Sequence, residues 1–174
     1  VHPFVMLPDF LNEPLLLVRD KESDVKCLSN VCTHRGNLVA SNPGKMKSLT
    51  CMYHGRQFDL AGNFKHMPEF SKAKNFPRPC EGLREFSIKD MCGHLFVSLD
   101  PSFDFSEVLD KMNERIGYLP LESFKRNDLL SKEYIVNCHW ALYCDNYLEG
   151  FHIPFVHADL NSVLDYGNYK TELY

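Results

Sequence analysis

The sequence lacks any apolar run long enough to cross a membrane. Its longest runs, such as residues 15–18, have the length of a β-strand. It also has little excess charge, since 19 Lys and Arg residues against 23 Asp and Glu residues give a net charge of −4. This balance provides no electrostatic basis for binding nucleic acid or an anionic membrane. With no internal repeat or low-complexity tract, the composition is typical of a globular protein without such partners.

The chain also lacks an initiator Met and the pattern of a signal peptide. It ends at Tyr174 without a terminating feature, so we expect a piece of a longer protein that is inactive alone. Its seven cysteines are an odd number, and two of them are spaced from histidines as metal ligands are. This usage favours a reducing compartment over a disulfide framework, and we predict a cytoplasmic location.

Between residue 15 and about residue 99, short apolar runs alternate with turn residues such as Asn42-Pro43-Gly44 and Ala61-Gly62-Asn63. Regularly spaced runs without helical periods predict a small antiparallel β-domain. After a break at Asp100-Pro101-Ser102 the periodicity becomes helical. We therefore predict an α+β chain with domains at residues 1–100 and 101–174. The predicted strands are residues 15–19, 25–28, 49–51, 57–60, 83–88 and 95–99.

Two loops of the predicted β-domain carry candidate metal ligands. Cys32 and His34 form a Cys-x-His pair, and after sixteen further residues Cys51 and His54 form a Cys-x-x-His pair. Two thiolates and two imidazoles suit a tetrahedral zinc ion. They suit equally well a [2Fe–2S] cluster that has two Cys on one iron and two His on the other. Spacing alone leaves both possibilities open.

The residues around these pairs are more informative. Cys-Thr-His-Arg-Gly at residues 32–36 and Cys-Met-Tyr-His-Gly at residues 51–55 closely resemble the Rieske iron–sulfur signature. The final Gly of each motif allows backbone conformations that a side chain forbids, and it lets N–H groups approach the cluster sulfurs. The resemblance implies a Rieske [2Fe–2S] cluster whose ligands are Cys32, His34, Cys51 and His54.

Two positions refine this resemblance. Respiratory Rieske proteins have an extra cysteine in each ligand loop, and the two form a disulfide, whereas Asn37 and Met52 occupy these places here. This favours a cluster that donates electrons to an oxygen-activating iron. In aromatic-ring-hydroxylating relatives a Trp follows the last His-Gly, whereas Arg56 does so here. This departure argues against an aromatic hydrocarbon as the substrate.

In the second domain, apolar residues at helical spacing predict a helix over residues 105–116 that ends at Gly117. Residues 132–137 are predicted to form a strand. A second helical stripe begins at Trp140 and reaches Phe151, and Pro154 is expected to end that helix. We expect its apolar face to lie in the core.

A polar group accompanies this second stripe. Glu149 and His152 are three residues apart near the expected helix end, and His157 follows five residues later. Taken alone, the two histidines are more simply interpreted as structural residues with satisfied hydrogen bonds than as metal ligands. Two His and a carboxylate are also the ligand set of non-haem Fe(II) oxygenases, and the upstream motif favours this second interpretation.

The order Asn-x-x-Glu-x-x-His-x-x-x-x-His, which begins at Asn146, resembles the catalytic-domain signature of the large (α) subunits of Rieske non-haem iron oxygenases. The resemblance implies the start of a helix-grip catalytic domain in which His152 and His157 bind iron. A third, acidic ligand would lie beyond this chain and would be neither Asp159 nor Asp165. Glu149 matches the catalytic carboxylate that bridges the iron to the cluster of a neighbouring subunit, with Asn146 close by, which implies a homotrimer.

We therefore expect the oxygenase component of a Rieske mono- or dioxygenase. Electrons from NAD(P)H would arrive through a flavin reductase or a ferredoxin, enter the cluster and pass to a mononuclear Fe(II). There O2 would oxidise an aromatic ring or an N-methyl quaternary amine. Residues 145–154 and Arg56 are more similar to the choline-monooxygenase-related branch. Two alternatives stay open, namely a Rieske-ferredoxin-type electron carrier and a zinc-stabilised binding module.

Overall fold

The structure is a computed structural model that describes residues 1–20 and 24–171. The chain forms two compact units, Val1–Phe124 and Lys125–Tyr174. The predicted domain boundary after residue 100 stays a prediction, and the last three residues of the predicted second domain lie outside the described residues. No helix among the described residues has both the length and the apolar character needed to span a bilayer.

The first unit contains two antiparallel sheets. The larger sheet has five strands in the order β1-β2-β3-β7-β8, and the smaller has the order β4-β5-β6. The strands of the larger sheet are β1 (His2–Met6), β2 (Glu13–Arg19), β3 (Val25–Ser29), β7 (Glu85–Met91) and β8 (His94–Ser98). Those of the smaller sheet are β4 (Leu49–Cys51), β5 (Arg56–Phe58) and β6 (Phe64–His66).

The larger sheet buries side chains on both of its faces. Because side chains alternate along a strand, Leu16 and Val18 of β2 pack on one side with Leu49 and Phe58 of the smaller sheet. Leu15 packs on the other side in a second apolar cluster. The first cluster also contains the cysteines Cys32 and Cys51. The packing that joins the two sheets therefore also holds the candidate thiol ligands.

The antiparallel β-domain predicted from the sequence is confirmed, and each of the six predicted strands has its counterpart within a few residues. Two strands, β1 and β6, were not predicted. β1 pairs along its whole length with β2, and β6 pairs with β5 through an irregular register. β6 has only three residues and shows no apolar run, whereas β1 contains the apolar run Phe4-Val5-Met6, which the prediction overlooked.

The first predicted helix is confirmed as α1 (Ser106–Ile116). Asp104 Oδ1 accepts the N–H of Ser106 at 3.0 Å and satisfies one of the free donors at the helix start. α1 belongs to the first unit.

The described residues of the second unit form three α-helices, α2 (Trp140–Leu148), α3 (Ile153–Val156) and α4 (Ala158–Val163), and a short 3-10 helix at Tyr166–Asn168. The predicted strand at residues 132–137 is wrong, since those residues pair with no strand in the described part of the chain and the side chain of Ile135 is 97% exposed. The predicted end of α2 at Pro154 is also wrong, because Glu149 is already extended, with φ −111° and ψ 152°. The expected burial of its apolar stripe is wrong too, since Trp140 is 73% and Tyr147 83% exposed.

Candidate metal centres

The two predicted ligand loops of the first unit share one backbone design. Residues 32–36 and 51–55 are turns in which the glycine N–H donates to the carbonyl oxygen of the leading cysteine, Gly36 to Cys32 at 3.0 Å and Gly55 to Cys51 at 2.9 Å. Both glycines have positive φ, +73° and +71°. Only glycine adopts this conformation without strain, which confirms the backbone conformation predicted for the two glycines.

The first loop is anchored by a buried asparagine. Asn30 accepts the N–H groups of Val39 and Ala40 at 3.1 and 2.9 Å and donates to the Ala40 carbonyl at 2.8 Å. Within the loop, the Cys32 N–H donates to the Asn37 carbonyl at 2.9 Å. The backbone that carries Cys32 and His34 is therefore fixed at both ends.

The two loops bring Cys32 and Cys51 together. The thiols are 3% and 1% exposed and are hydrogen-bonded to each other. Burial raises the pKa of the Cys32 thiol. Burial acts in the same direction on Cys51, but hydrogen bonds from the backbone of Tyr53 and from the Cys32 and Asn37 side chains hold the pKa of Cys51 below its usual range. Donors around this sulfur favour the thiolate, the form that binds metals.

The loops also bring the two imidazoles together. The rings of His34 and His54 lie edge to face with centroids 4.6 Å apart. Nδ1 of His34 is buried and has no hydrogen-bond partner among the described residues. Burial, followed by the charges of His54 and Arg35, lowers the pKa of His34 and favours the neutral ring. A buried, neutral and unpaired nitrogen is suited to bind a metal ion.

The four side chains thus form a thiol pair and an imidazole pair. No group of three or more His, Cys, Asp or Glu residues that suits a single ion occurs in the described ranges. Two ligands for each of two irons is the pattern of a [2Fe–2S] cluster with mixed ligation. The unpaired Nδ1 of His34 and the donors around Cys51 fit such a cluster.

Residues 7–77, which include both pairs, match the profile of the Rieske [2Fe–2S] domain family. The chain carries a segment that matches the Rieske [2Fe–2S] domain. A Rieske domain binds a [2Fe–2S] cluster, so the predicted cofactor of this domain is confirmed.

The similarity continues beyond the Rieske domain. The chain is 29% identical over 169 residues to the chloroplastic choline monooxygenase of Beta vulgaris, a match that covers 93% of this chain and 37% of the relative. It is 28% identical over 166 residues to the carnitine monooxygenase oxygenase subunit of Escherichia coli, with 92% and 44% covered. The chain therefore spans less than half the length of these curated relatives.

Among solved structures, the fold is similar to that of a quaternary ammonium Rieske monooxygenase in complex with L-carnitine. The TM-score is 0.68 at 21% identity, and the match covers 93% of this chain and 46% of that one. This likeness confirms the predicted fold class of an antiparallel β Rieske domain followed by helices.

The second unit brings three of its four predicted site residues together. The Glu149 carboxylate pairs with Nδ1 of His152 through Oε1, and it accepts the Phe151 N–H at 2.6 Å through Oε2. The hydrogen bond from His152 is the main reason that the pKa of Glu149 lies below its usual range. The rings of His152 and His157 lie edge to face with centroids 5.1 Å apart.

Glycine is required beside this group. A side chain at Gly150 would lie 2.6 Å from the ring of Tyr169, which covers the turn between Glu149 and His152. Asn146, the fourth predicted residue, is exposed on α2 one turn before Glu149.

Two residues of the Rieske domain were missed by sequence reasoning. Arg56 was identified as a departure from the family pattern, but its burial was not predicted. Glu81, its partner, received no attention because an isolated acidic residue in a Pro- and Arg-rich loop is usually exposed. Both are buried, and they form an ion pair.

Proposed function

We propose that this chain carries both redox centres of a Rieske oxygenase component, which passes electrons from a [2Fe–2S] cluster to a mononuclear Fe(II) and oxidises an organic substrate with O2. The proposal rests on the presence, in one chain, of the Cys/His loops and of the Glu149–His152–His157 group. When bound, the cluster supplies electrons one at a time and the mononuclear iron supplies the site of O2 reduction. The similarity beyond the Rieske domain favours this function over that of a free-standing electron carrier.

In the first centre, Cys32 and Cys51 would hold one iron of the cluster as thiolates, and His34 and His54 would hold the other. The backbone N–H groups of His34 and Tyr53 donate to the two sulfurs and stabilise their negative charge. Nδ1 is the nitrogen of His34 that binds iron, because it is buried and unpaired within the described residues. His54 is exposed, so the edge of the cluster that carries this ligand is open to an electron donor.

In the second centre, His152 and His157 bind the mononuclear iron. The carboxylate of Glu149 holds Nδ1 of His152, which fixes the ring orientation and leaves Nε2 for the metal. Glu149 also serves as the catalytic carboxylate that links this iron to the cluster of a neighbouring subunit in a homotrimer, with Asn146 beside it. A third, acidic ligand that is neither Asp159 nor Asp165 would complete this site.

The substrate class that we favour is a quaternary amine with N-methyl groups. Support comes from the relatives, which are a choline and a carnitine monooxygenase by name, and from Arg56 in the place of the Trp found in ring-hydroxylating relatives. Electrons arrive from an NAD(P)H-dependent reductase or a ferredoxin in the cytoplasm. Oxygen uptake by the native protein with such a reductase would test this, with turnover of choline or carnitine but not of naphthalene as the supporting result.

The two-centre proposal is tested by metal content. The native protein, with the third iron ligand included, is loaded with the cluster and titrated anaerobically with Fe(II), and bound iron is compared with acid-labile sulfide. We expect about three irons for two sulfides in the wild type. A His152→Ala/His157→Ala variant should stay at about two irons for two sulfides. Equal iron in both proteins would contradict the second centre, and a chain without sulfide would contradict the first.

A further inference from the structure

The first residue of β5, Arg56, is a buried cation directly behind the second ligand loop. It follows Gly55 and is only 2% exposed. Its guanidinium carbon lies 4.9, 5.7 and 5.8 Å from the ring centroids of Phe64, Phe58 and Phe76. Aromatic faces attract a cation, but three rings alone do not offset the loss of its hydration. A buried arginine therefore needs a counter-charge.

Glu81 provides that counter-charge. It is 4% exposed, and its carboxylate pairs with Nη2 of Arg56. The Nε of Arg78 donates to the same carboxylate at 2.8 Å. Hydrogen bonds from Arg56 and then from Arg78 keep the pKa of Glu81 below its usual range. The pair is therefore charged in the folded protein.

The backbone carbonyl of Glu81 connects the two ligand loops. It accepts the hydroxyl of Thr33 at 2.8 Å and Nη2 of Arg56 at 3.0 Å. Thr33 lies between the ligands Cys32 and His34, and Arg56 is two residues after His54. A single oxygen atom on a third segment thus holds both loops.

The charges of the pair also reach the ligands. Arg56 and Glu81 line the same cavity as Thr33 and the ligand His34, so both charges lie beside the predicted cluster site. Because both groups are buried, salt and water screen them far less than surface charges. Lys26 and Glu85 form an exposed pair on the larger sheet at 3.0 Å. Water and salt screen the charges of such a surface pair strongly.

We propose that Arg56 and Glu81 are positioning residues that clamp the two ligand loops together and set the reduction potential of the cluster, with Arg56 raising the potential and Glu81 lowering it. This inference rests on the cluster assignment above. Reduction adds one electron to the cluster, so a fixed positive charge beside it favours the reduced form and a fixed negative charge disfavours it.

The experiment is a redox titration of the full chain, followed by the EPR signal of the reduced cluster. Arg56→Met should lower the midpoint potential, and Glu81→Gln should raise it. Lys26→Met removes one positive charge from an exposed pair and serves as the matched control, with no shift expected. A purely structural pair would weaken or broaden the signal in both variants without moving the potential in opposite directions.

Arg56→Lys separates charge from geometry. Lysine keeps the charge but lacks the planar guanidinium, whose Nη2 donates to both the carboxylate and the carbonyl oxygen of Glu81. The midpoint potential of the Arg56→Lys variant should stay near that of the wild type. A chelator should remove iron from this variant faster than from the wild type. If Arg56→Met does not fold, Glu81→Gln decides the sign, because this variant keeps Arg56 between the rings and retains the carbonyl acceptor.

The inference is overturned if the variants that bind the cluster have the potential of Lys26→Met, or if Arg56→Met and Glu81→Gln shift it in the same direction. A wild-type chain that gives no Rieske signal would overturn the cluster assignment and this inference with it. A normal wild-type signal with unshifted variants would overturn only the role of the pair.

Discussion

The two candidate metal centres differ in how their ligands are held. In the Rieske domain the thiols are at most 3% exposed, and Cys32 and Cys51 belong to the apolar cluster that joins two sheets. In the second unit the contact between Glu149 and His152 is local, three residues apart in sequence, beside a helix whose Trp140 is 73% exposed. The first centre is thus fixed by the fold of its own unit, whereas the second is a short segment whose histidine orientation depends on one carboxylate.

The largest expected effect is the loss of a cluster ligand. Cys51→Ala should abolish the cluster, since both thiols are needed to hold one iron, and the red-brown absorption of the loaded protein should disappear. His152→Ala should leave that absorption unchanged because it acts on the other centre.

Cys144→Ser is the control for the first change, since Cys144 is an exposed thiol of the second unit. Absorption that survives in Cys51→Ala, or that is lost in Cys144→Ser, would contradict the assigned ligands.

Core packing should show the same contrast between the units. Phe58 is fully buried behind the ligand loops, and Phe58→Ala should lower the free energy of unfolding by about 3–5 kcal/mol. Leu148→Ala, at a side chain that is largely exposed on α2, should change it by only about 0.5 kcal/mol or less. Urea unfolding followed by circular dichroism measures both. A comparable loss in the two variants would show that the second unit is packed as tightly as the first.

An intermediate effect is expected at Glu149. Glu149→Gln removes the charge that orients His152, and such partners of metal-bound histidines typically contribute about 10–100-fold to metal affinity. Anaerobic Fe(II) titration should show this loss, while the EPR signal of the cluster remains that of the wild type. Asn146→Ala, one turn away on α2, is the neighbouring control. If it weakens Fe(II) binding as much as Glu149→Gln, the carboxylate has no special role in orienting the ring.

The smallest effect is a pH dependence from Glu81. Its folded pKa is lowered by Arg56 and Arg78, so its contribution to stability is fully present above the unfolded value of about 4.3. That contribution is lost as the pH falls through the lower folded pKa. The difference in urea midpoint between wild type and Glu81→Gln should therefore shrink between neutral pH and about pH 3. Glu85→Gln, from the exposed pair with Lys26, should show little difference throughout. A Glu81→Gln difference that is constant with pH would contradict the charged pair.

The difference between contacts set by local sequence and contacts made only by the complete fold explains which features could be predicted from the sequence. The ligand loops of the Rieske domain are local turns with short motifs, so Gly36 and Gly55 indicated their backbone directly. The apolar runs of β2 and β3 indicated strands because each is buried by its own sheet. Arg56 and Glu81 are 25 residues apart, and no local pattern connects them. The burial of Arg56 depends on three aromatic rings that come together only in the fold.

In the second unit, local pattern was a poor guide to packing. The stripe from Trp140 to Phe151 has helical period, and α2 forms, but period alone says nothing about what covers a face. The segment at residues 132–137 has strand composition, yet a strand exists only where a partner strand pairs with it. Glu149 and His152 do meet, but they meet across the turn that follows α2 and not along the continuous helix that the sequence predicted.

The central claim is that the two Cys/His loops hold a Rieske [2Fe–2S] cluster. The most direct test is the absorption and EPR spectrum of the full chain produced with iron and sulfide available. The account predicts a red-brown protein that, once reduced, gives the EPR signal of a [2Fe–2S] cluster with mixed Cys and His ligation. A colourless protein that contains one tightly bound zinc ion per chain would contradict it.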